Sequence, residues 1–519
     1  MNHIELFAGC GGLSLGLESV GFELLLANEI SPMAAETFTY NFFNENLKDK
    51  AEKQEKPENA LWVSSQYEDL KLRLRENPFE YPDFGTGIND FESYEPNQLK
   101  GKMIVGDIRH VNQLLDSNSE LKTSISYAFN GKSLGVDLVS GGPPCQSFSM
   151  AGMRKKDCDK NSLPWEFAKF VDHVKPKIAM LENVTGILRP FADEDGTKYH
   201  AWFEVAKVFA SLNYVPLCLH INAKYAGVAQ NRPRFIMVSI RRDYLNDILP
   251  TFTTKEQDLF TSGLNLSDAI QNGQDPEFGM LQCFDVEKQE SAYHDTFLQS
   301  LIQFKGHEFS VKQAIDDLCT NNSKSYYVNL LNDLLGKNTD TIENYTPKMN
   351  SETVQRRFRI YQVLTKVSKS TEKEVKEVLK GKELELTDLA SQEMLEHKFL
   401  FENEHEVRFA INGEQILQLL LAHKTKKQTQ KALNPSSPAP AALSIPDDAC
   451  HYGPLRTLTV REMARVQSFP DSFVFRSKLS TGGLSRRFEV PQYTQVGNAV
   501  PPLLGRTLGY IIKDLLNRK

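Results

Sequence analysis

Cys145 is the residue of this 519-residue chain whose surroundings packing alone explains least. It closes the run Gly141-Gly142-Pro143-Pro144-Cys145, continues as Gln146-Ser147-Phe148-Ser149, and directly follows the apolar stretch 136–139. A strand over that stretch delivers a thiol to the carboxyl end of a sheet, the edge at which open parallel sheets bind ligands. Two prolines stiffen the backbone ahead of the thiol and the glycines permit a sharp exit, a costly arrangement for a residue that only fills space. An isolated cysteine is nonetheless more often a small buried hydrophobe than a nucleophile. Glu182, in Glu182-Asn183-Val184, ends the next apolar run, so a carboxylate and a thiol would project from one edge of neighbouring strands. Alone, Glu182 reads as a helix N-cap or an ion-pair partner. Arg232 and Arg234 stand two apart in Gln230-Asn231-Arg232-Pro233-Arg234, on one face of an extended segment. They suit a base carbonyl, phosphates, or a strand-end ion pair.

A second constellation suits a cofactor. Phe7-Ala8-Gly9-Cys10-Gly11-Gly12 lies where a first strand turns into a helix, so backbone N–H groups and the helix N-terminus can approach a ligand closely. Glu29 ends the following strand twenty positions after Gly9, where a carboxylate suits the two hydroxyls of a ribose. The turn has neither the G-x-G-x-x-G order nor the Lys-Ser/Thr of a phosphate loop. That points away from dinucleotides and ATP toward another adenosine-bearing cofactor, the alternative being a glycine turn that only permits tight packing.

Elements that could position these groups are visible as pattern. Strands are expected at 3–7, 22–27, 103–105, 136–139, 178–181, 214–221 and 235–240, with helices at 13–20 and 165–174. Strands alternating with helices imply an α/β fold, a Rossmann-like doubly wound and mostly parallel sheet. Residues 46–100 turn charged and weakly periodic, the texture of a peripheral insertion. Residues 243–452 are helix-prone and mixed, and 434–440, rich in Pro and Ser, read as a linker.

Composition narrows the class. A formal net charge of -7 gives no global signal for a polyanion, although Arg154-Lys155-Lys156, Arg356-Arg357-Phe358-Arg359, the lysine run 424–431 and Arg486-Arg487 are local candidates for phosphates or, taken singly, solvated faces. Seven cysteines include no Cys-x-x-Cys pair, so neither a metal site nor a disulfide framework is expected. No apolar run approaches about 18 residues and the N-terminus lacks a signal pattern, so a cytoplasmic location away from membranes is expected.

Taken in order, these motifs resemble the cytosine-C5 DNA methyltransferase family of bacterial type. The resemblance is carried by the glycine turn, Gly106-Asp107-Ile108, Pro143-Pro144-Cys145-Gln146, Glu182-Asn183-Val184 and Gln230-Asn231-Arg232-Pro233-Arg234. Two late blocks extend it, 456–471 and Gln495-Val496-Gly497-Asn498-Ala499-Val500-Pro501-Pro502. It covers roughly 1–45, 101–242 and 454–519. It implies S-adenosyl-L-methionine as cofactor and S-adenosyl-L-homocysteine as product. It also implies Cys145 as the nucleophile that adds to carbon 6 of a flipped-out cytosine, Glu182 at ring N3, and Arg234, aided by Arg232, at the base carbonyl. Phe7, Gly9, Gly11, Gly12, Glu29, Asp107, Ile108, Pro143, Asn498 and Ala499 match the cofactor positions. Residues 150–162 are expected to close over the base. Cys10 departs from the family's usual turn residues and receives no role.

The expected organisation is a catalytic and cofactor-binding domain at 1–242 with the insertion 46–100, a target-recognition domain at 243–484 and a segment, 485–519, that returns to the first domain, its helix over 503–516 completing the cofactor pocket. The expected partner is double-stranded DNA, with a restriction or defence nuclease encoded separately. A tRNA cytosine-C5 methyltransferase and a catalytically silent DNA-binding regulator are the competing readings.

Overall fold

The computed structural model describes residues 1–131, 134–144, 162–192, 198–320, 322–337, 339, 341–402, 405–408, 410–425, 430–441, 445 and 449–518. Cys145, the segment 146–161 with Arg154-Lys155-Lys156, and residues 426–429 of the lysine run lie outside the described residues.

Apolar runs form the sheet. Along the chain come β1 (Asn2–Leu6), α1 (Gly12–Glu18), β2 (Glu23–Glu29), α2 (Pro32–Phe43), β3 (Ala60–Trp62), β4 (Lys102–Val105), α3 (Ile108–Ser117), β5 (Leu138–Gly141), α4 (Leu163–Val174), β6 (Ile178–Val184), α5 (Ala201–Ser211), β7 (Tyr214–Asn222), β8 (Pro233–Arg241), α6 (Thr254–Gln271) and β9 (Cys283–Asp285). They make a nine-stranded sheet in the order β9-β7-β8-β6-β5-β1-β2-β4-β3. Neighbours run parallel except β8, which is antiparallel to both β6 and β7. The doubly wound, Rossmann-like α/β fold is therefore present. Strands such as Ile178-Ala179-Met180-Leu181 are apolar at consecutive positions because helices cover both faces of the sheet.

The insertion is less peripheral than its composition suggested. Residues 60–62 form the edge strand β3, and Trp62 is fully buried. The charged residues around it are spent on this core, with Asp90 accepting from the Trp62 N–H at 2.8 Å and pairing with Arg73 at 2.7 Å.

The expected second domain is too wide at both ends. α6 lies on β7, where Gly263 lets the helix sit against the Pro216 carbonyl, and β9 extends the sheet itself. Residues 297–335 and 458–475 share one hydrophobic cluster with the sheet. A separate cluster is built from α7 (Glu352–Leu364), α8 (Lys369–Leu379), α9 (Asp388–Leu395), α10 (Gly413–Ala422) and residues near 432 and 450. The Pro/Ser stretch is not a free tether. Ala439-Pro440 pairs with Gln230-Asn231, and the Val311 and Lys312 N–H groups donate to the Ser437 and Pro435 carbonyls at 3.0 Å.

The end of the chain returns through α11 (Val460–Val466), α12 (Gln492–Asn498) and α13 (Pro502–Asn517). α13 lies against α1 at very short range. A Cβ at Gly16 would collide with the backbone of Gly505 and Arg506, and one at Gly509 would meet Val20 and Leu17. Glycines on both helices thus allow the backbones to touch, and a methyl group there would overpack the contact.

Candidate functional site

Because β1, β2, β4, β5 and β6 run parallel, their carboxyl ends share one edge of the sheet, and the antiparallel β8 begins at that edge. Gly9, Glu29, Asp107, Pro143, Glu182 and Arg234 are therefore brought to one side of the molecule, as open α/β sheets bring ligand-binding groups.

Glu182 and Arg234 meet there. Arg234 is in register with Val184 and Glu182 with Ile236, so the two charged side chains are diagonal neighbours on one face. Arg234 Nε stands 2.7 Å from Glu182 Oε1, with the side chains 10% and 12% exposed. The Nε–H finds no in-line acceptor, so the contact is an ion pair by distance rather than an aligned hydrogen bond. Burial lowers the Arg234 pKa and the Glu182 carboxylate opposes that shift. Gly142 faces the same carboxylate, since a Cβ there would stand 3.0 Å from Glu182 Oε2.

Asn183, on the opposite face of β6, reaches the loop that leads to Cys145. Its Nδ2 donates to the Pro143 carbonyl at 2.9 Å, while its Oδ1 accepts from the Val184 N–H at 2.9 Å. Pro144 is exposed, and Cys145 follows it by one peptide bond, outside the described residues.

Arg232 is placed differently from the base-binding role expected beside Arg234. Its Nη2 donates to the Gly497 and Ala499 carbonyls at 3.1 and 2.9 Å, and it is buried. The guanidinium ties the late Gly497-Asn498-Ala499 block to the start of β8. Burial and the neighbouring Arg234 both lower its pKa.

On the cofactor side, Glu29 is held by two backbone donors, Gly9 N–H on Oε2 and Ser31 N–H on Oε1, both at 2.8 Å. Burial raises its pKa and these hydrogen bonds oppose the rise. Each oxygen keeps further acceptor capacity. Gly9 has φ +55 and open space where a Cβ would stand, and half-buried Phe7 and Ile30 flank the same strand ends. An open glycine, a carboxylate with spare lone pairs and partly uncovered apolar side chains fit a nucleoside. Asp107 caps α3, accepting from the Arg109 N–H at 2.8 Å, and pairs with the Arg109 guanidinium at 3.1 Å; Ile108 is buried behind it.

Gly11 and Gly12 do packing work instead. Side chains there would strike Phe42 and the Val500 carbonyl, respectively. Ala499 is buried and Asn498 exposed at the end of α12. Among the described residues no cluster of three or more His, Cys, Asp or Glu could hold a metal ion, and no helix is long and apolar enough to cross a membrane.

Several residues of the two late blocks were given no role by sequence. Gln495 Nε2 lies within hydrogen-bonding reach of the Met33, Arg476 and Val490 carbonyls at 3.0–3.3 Å, and its Oε1 accepts from Thr37 at 2.6 Å. Arg456 pairs with Glu462 through two 2.7 Å bonds, and Arg465 is fully buried between Asp471 and Asp317, each at 2.7 Å. The available signal was the density of charge in 456–471, with Arg461 and Arg465 one helical turn apart amid apolar residues.

Compared with known proteins, the chain matches the pattern of the C-5 cytosine-specific DNA methylase family over residues 1–66 and 89–514. It is 26% identical over 511 residues to the Type II methyltransferase M.DdeI of Desulfomicrobium norvegicum, spanning 98% of this chain and 87% of that one. It is 26% identical over 537 residues to the Type II methyltransferase M.Bpa9945I of Bacillus paralicheniformis, spanning 99% of each. Among solved structures, a candidate DNA modification methyltransferase encoded within an E. coli prophage aligns over 100% of this chain and 99% of its own, at 17% identity and a TM-score of 0.46. The family match takes in 243–453 and much of 46–100, which the motifs alone left outside; 67–88 is the internal stretch outside the match.

Proposed function

This chain belongs to the C-5 cytosine-specific DNA methylase family and is a DNA cytosine-C5 methyltransferase, and from that premise we propose that it acts on a cytosine flipped out of duplex DNA through a covalent adduct with Cys145. The observation that carries this reading is the buried Glu182–Arg234 pair, 2.7 Å apart, beside the Pro143 loop that leads to the thiol.

Carbon 5 of cytosine is a weak nucleophile. Addition of the Cys145 thiolate to carbon 6 makes carbon 5 enamine-like. Glu182 hydrogen-bonds and protonates ring N3 as that charge develops, and Arg234, held against Glu182, binds the base carbonyl. Asn183 fixes the Pro143 carbonyl and with it the approach of the thiol. Once carbon 5 carries its methyl group, release of the carbon 5 proton to solvent, return of the N3 proton to Glu182 and expulsion of the Cys145 thiolate restore the ring and the enzyme. Flipping the base costs a few kcal/mol of unstacking, which the protein recovers in the pocket.

S-adenosyl-L-methionine, when bound, supplies the electrophilic methyl group and leaves as S-adenosyl-L-homocysteine. Phe7, Gly9, Glu29, Asp107 and Ile108 would hold it, with Glu29 at the ribose hydroxyls. Gly12, Arg232 and Ala499 shape that pocket from behind, by seating the late blocks on the first turn, while Gly11 makes room for Phe42 of α2 and Asn498 stands exposed at the end of α12. The Type II names of the relatives support a place in restriction and modification beside a separately encoded nuclease.

The test is to express the chain in a methylation-free host and map 5-methylcytosine. A mark in DNA is expected at one sequence context, and a mark confined to tRNA, or none, overturns the reading. Cys145→Ala should abolish methylation and covalent trapping on DNA carrying 5-fluorocytosine; continued trapping assigns the nucleophile elsewhere.

A further inference from the structure

Residues 67–88, which the family pattern does not match, lie in the excursion that leaves the carboxyl end of β3. That is the same edge at which β2 ends in Glu29 and β4 leads to Asp107. The excursion is tied down at both ends. Ser65 and Ile88 exchange backbone hydrogen bonds of 3.0 and 2.8 Å, and the Ser64 hydroxyl donates to the Pro82 carbonyl at 2.9 Å. Glu76 accepts from the Ser65 hydroxyl and the Gln66 N–H at 2.6 and 2.8 Å.

Held in this way, four consecutive residues bridge two strand ends. The Tyr81 hydroxyl donates to the carbonyl of Ile30, the residue after Glu29, at 3.1 Å. Three positions on, the Phe84 ring lies 6.2 Å from the His110 ring, in the first turn of the helix that Asp107 caps. Phe84, Ile30 and Phe7 are each only partly covered.

We propose that residues 81–84 wall the adenine end of the S-adenosylmethionine site, with Phe84 offering an aromatic face and Tyr81 fixing the wall to the ribose-binding strand end. The proposal rests on the cofactor reading above. An adenine ring has two flat apolar faces and a polar edge. Aromatic and aliphatic side chains suit the faces, and the polar groups around Asp107 suit the edge.

Calorimetric titration of the full-length protein with S-adenosylhomocysteine and with 5′-deoxy-5′-methylthioadenosine tests this. Both carry the adenosyl group, and the second lacks the amino acid end. Phe84→Ala should weaken both by about tenfold, the loss of one stacking face. Tyr81→Phe, which keeps the ring and loses the Ile30 contact, should weaken both by about threefold. Phe84→Leu keeps apolar volume but loses the flat face, and should still weaken both with an unchanged melting temperature. Wild-type binding that the variants match within about twofold, or a loss confined to S-adenosylhomocysteine, overturns the wall. A wild-type protein that binds neither compound overturns the cofactor reading itself, and the wall with it.

Discussion

The side-chain amide of Asn183 connects the two halves of the proposed chemistry, because β6 carries Glu182 on one face and Asn183 on the other. The 2.9 Å bond to the Pro143 carbonyl fixes the loop two residues before Cys145. Misplacing a reacting group by about 1 Å costs on the order of 100-fold in rate. Asn183→Ala is therefore expected to slow single-turnover methylation by about 10- to 100-fold with DNA affinity retained. Asn183→Asp, which also lacks the donor, should not rescue it. An unchanged single-turnover rate would leave the amide a purely structural role. Cys145, Glu182 and Arg234 were legible as candidates because each sits in a short contiguous motif. The work of Asn183 was not, since its partner is 40 residues away, and that of Arg232 was hidden because Gly497 and Ala499 lie 265 and 267 residues along the chain.

At the scale of elements, β1 is a central strand that carries two buried titratable side chains, His3 and Glu5. Glu5 bonds to the Ser14 hydroxyl of α1, and burial, opposed by that bond, pushes its pKa up to about 8. Below the ordinary carboxylate range both folded and unfolded chains hold the Glu5 proton. As pH rises toward 8 the unfolded chain releases it and the folded one keeps it, so stability falls by up to about 1.4 kcal/mol per pH unit. Burial holds His3 at about 3, which acts in the opposite direction, removing stability as pH falls below the usual histidine range. Glu5→Gln retains His3 and removes only the first effect. Its Tm should gain on the wild type progressively from pH 5 to 8, and a pH-independent difference would show that Glu5 does not keep its proton in the fold. The long strands β6, β7 and β8 were readable from their apolar runs, with ends displaced by a few residues. β3 and β9 were not, because each is a three-residue edge strand whose pairing, with 103–105 and 218–220, is created by the neighbour rather than by its own pattern.

Across the whole molecule the net charge of -7 means that affinity for a polyanion must come from local cations, and the structure separates those that sequence could not. Arg357 and Arg359 sit in one basic run, yet Arg357 donates to the His423 and Lys424 carbonyls at 3.2 and 3.3 Å, satisfying the end of α10. Arg359 is buried on the Lys398 carbonyl at 2.7 Å and pairs with Glu406 at 2.9 Å. Arg486 and Arg487 are exposed on a short turn, Gly483–Arg487, beside the equally exposed Leu484. Each phosphate contact contributes about 0.9 to the slope of log K against log salt. The double substitution Arg486→Ala with Arg487→Ala should therefore lower that slope by up to about 2, with little change in Tm. Arg357→Ala with Arg359→Ala should leave the slope alone and lower Tm, because the buried Arg359 side chain is lost from its packing and the His423, Lys424 and Lys398 carbonyls lose their donors. Binding titrations at several salt concentrations, paired with thermal melts, decide between them, and the opposite pattern would move the DNA-facing surface from the Arg486 turn to the helices around α7.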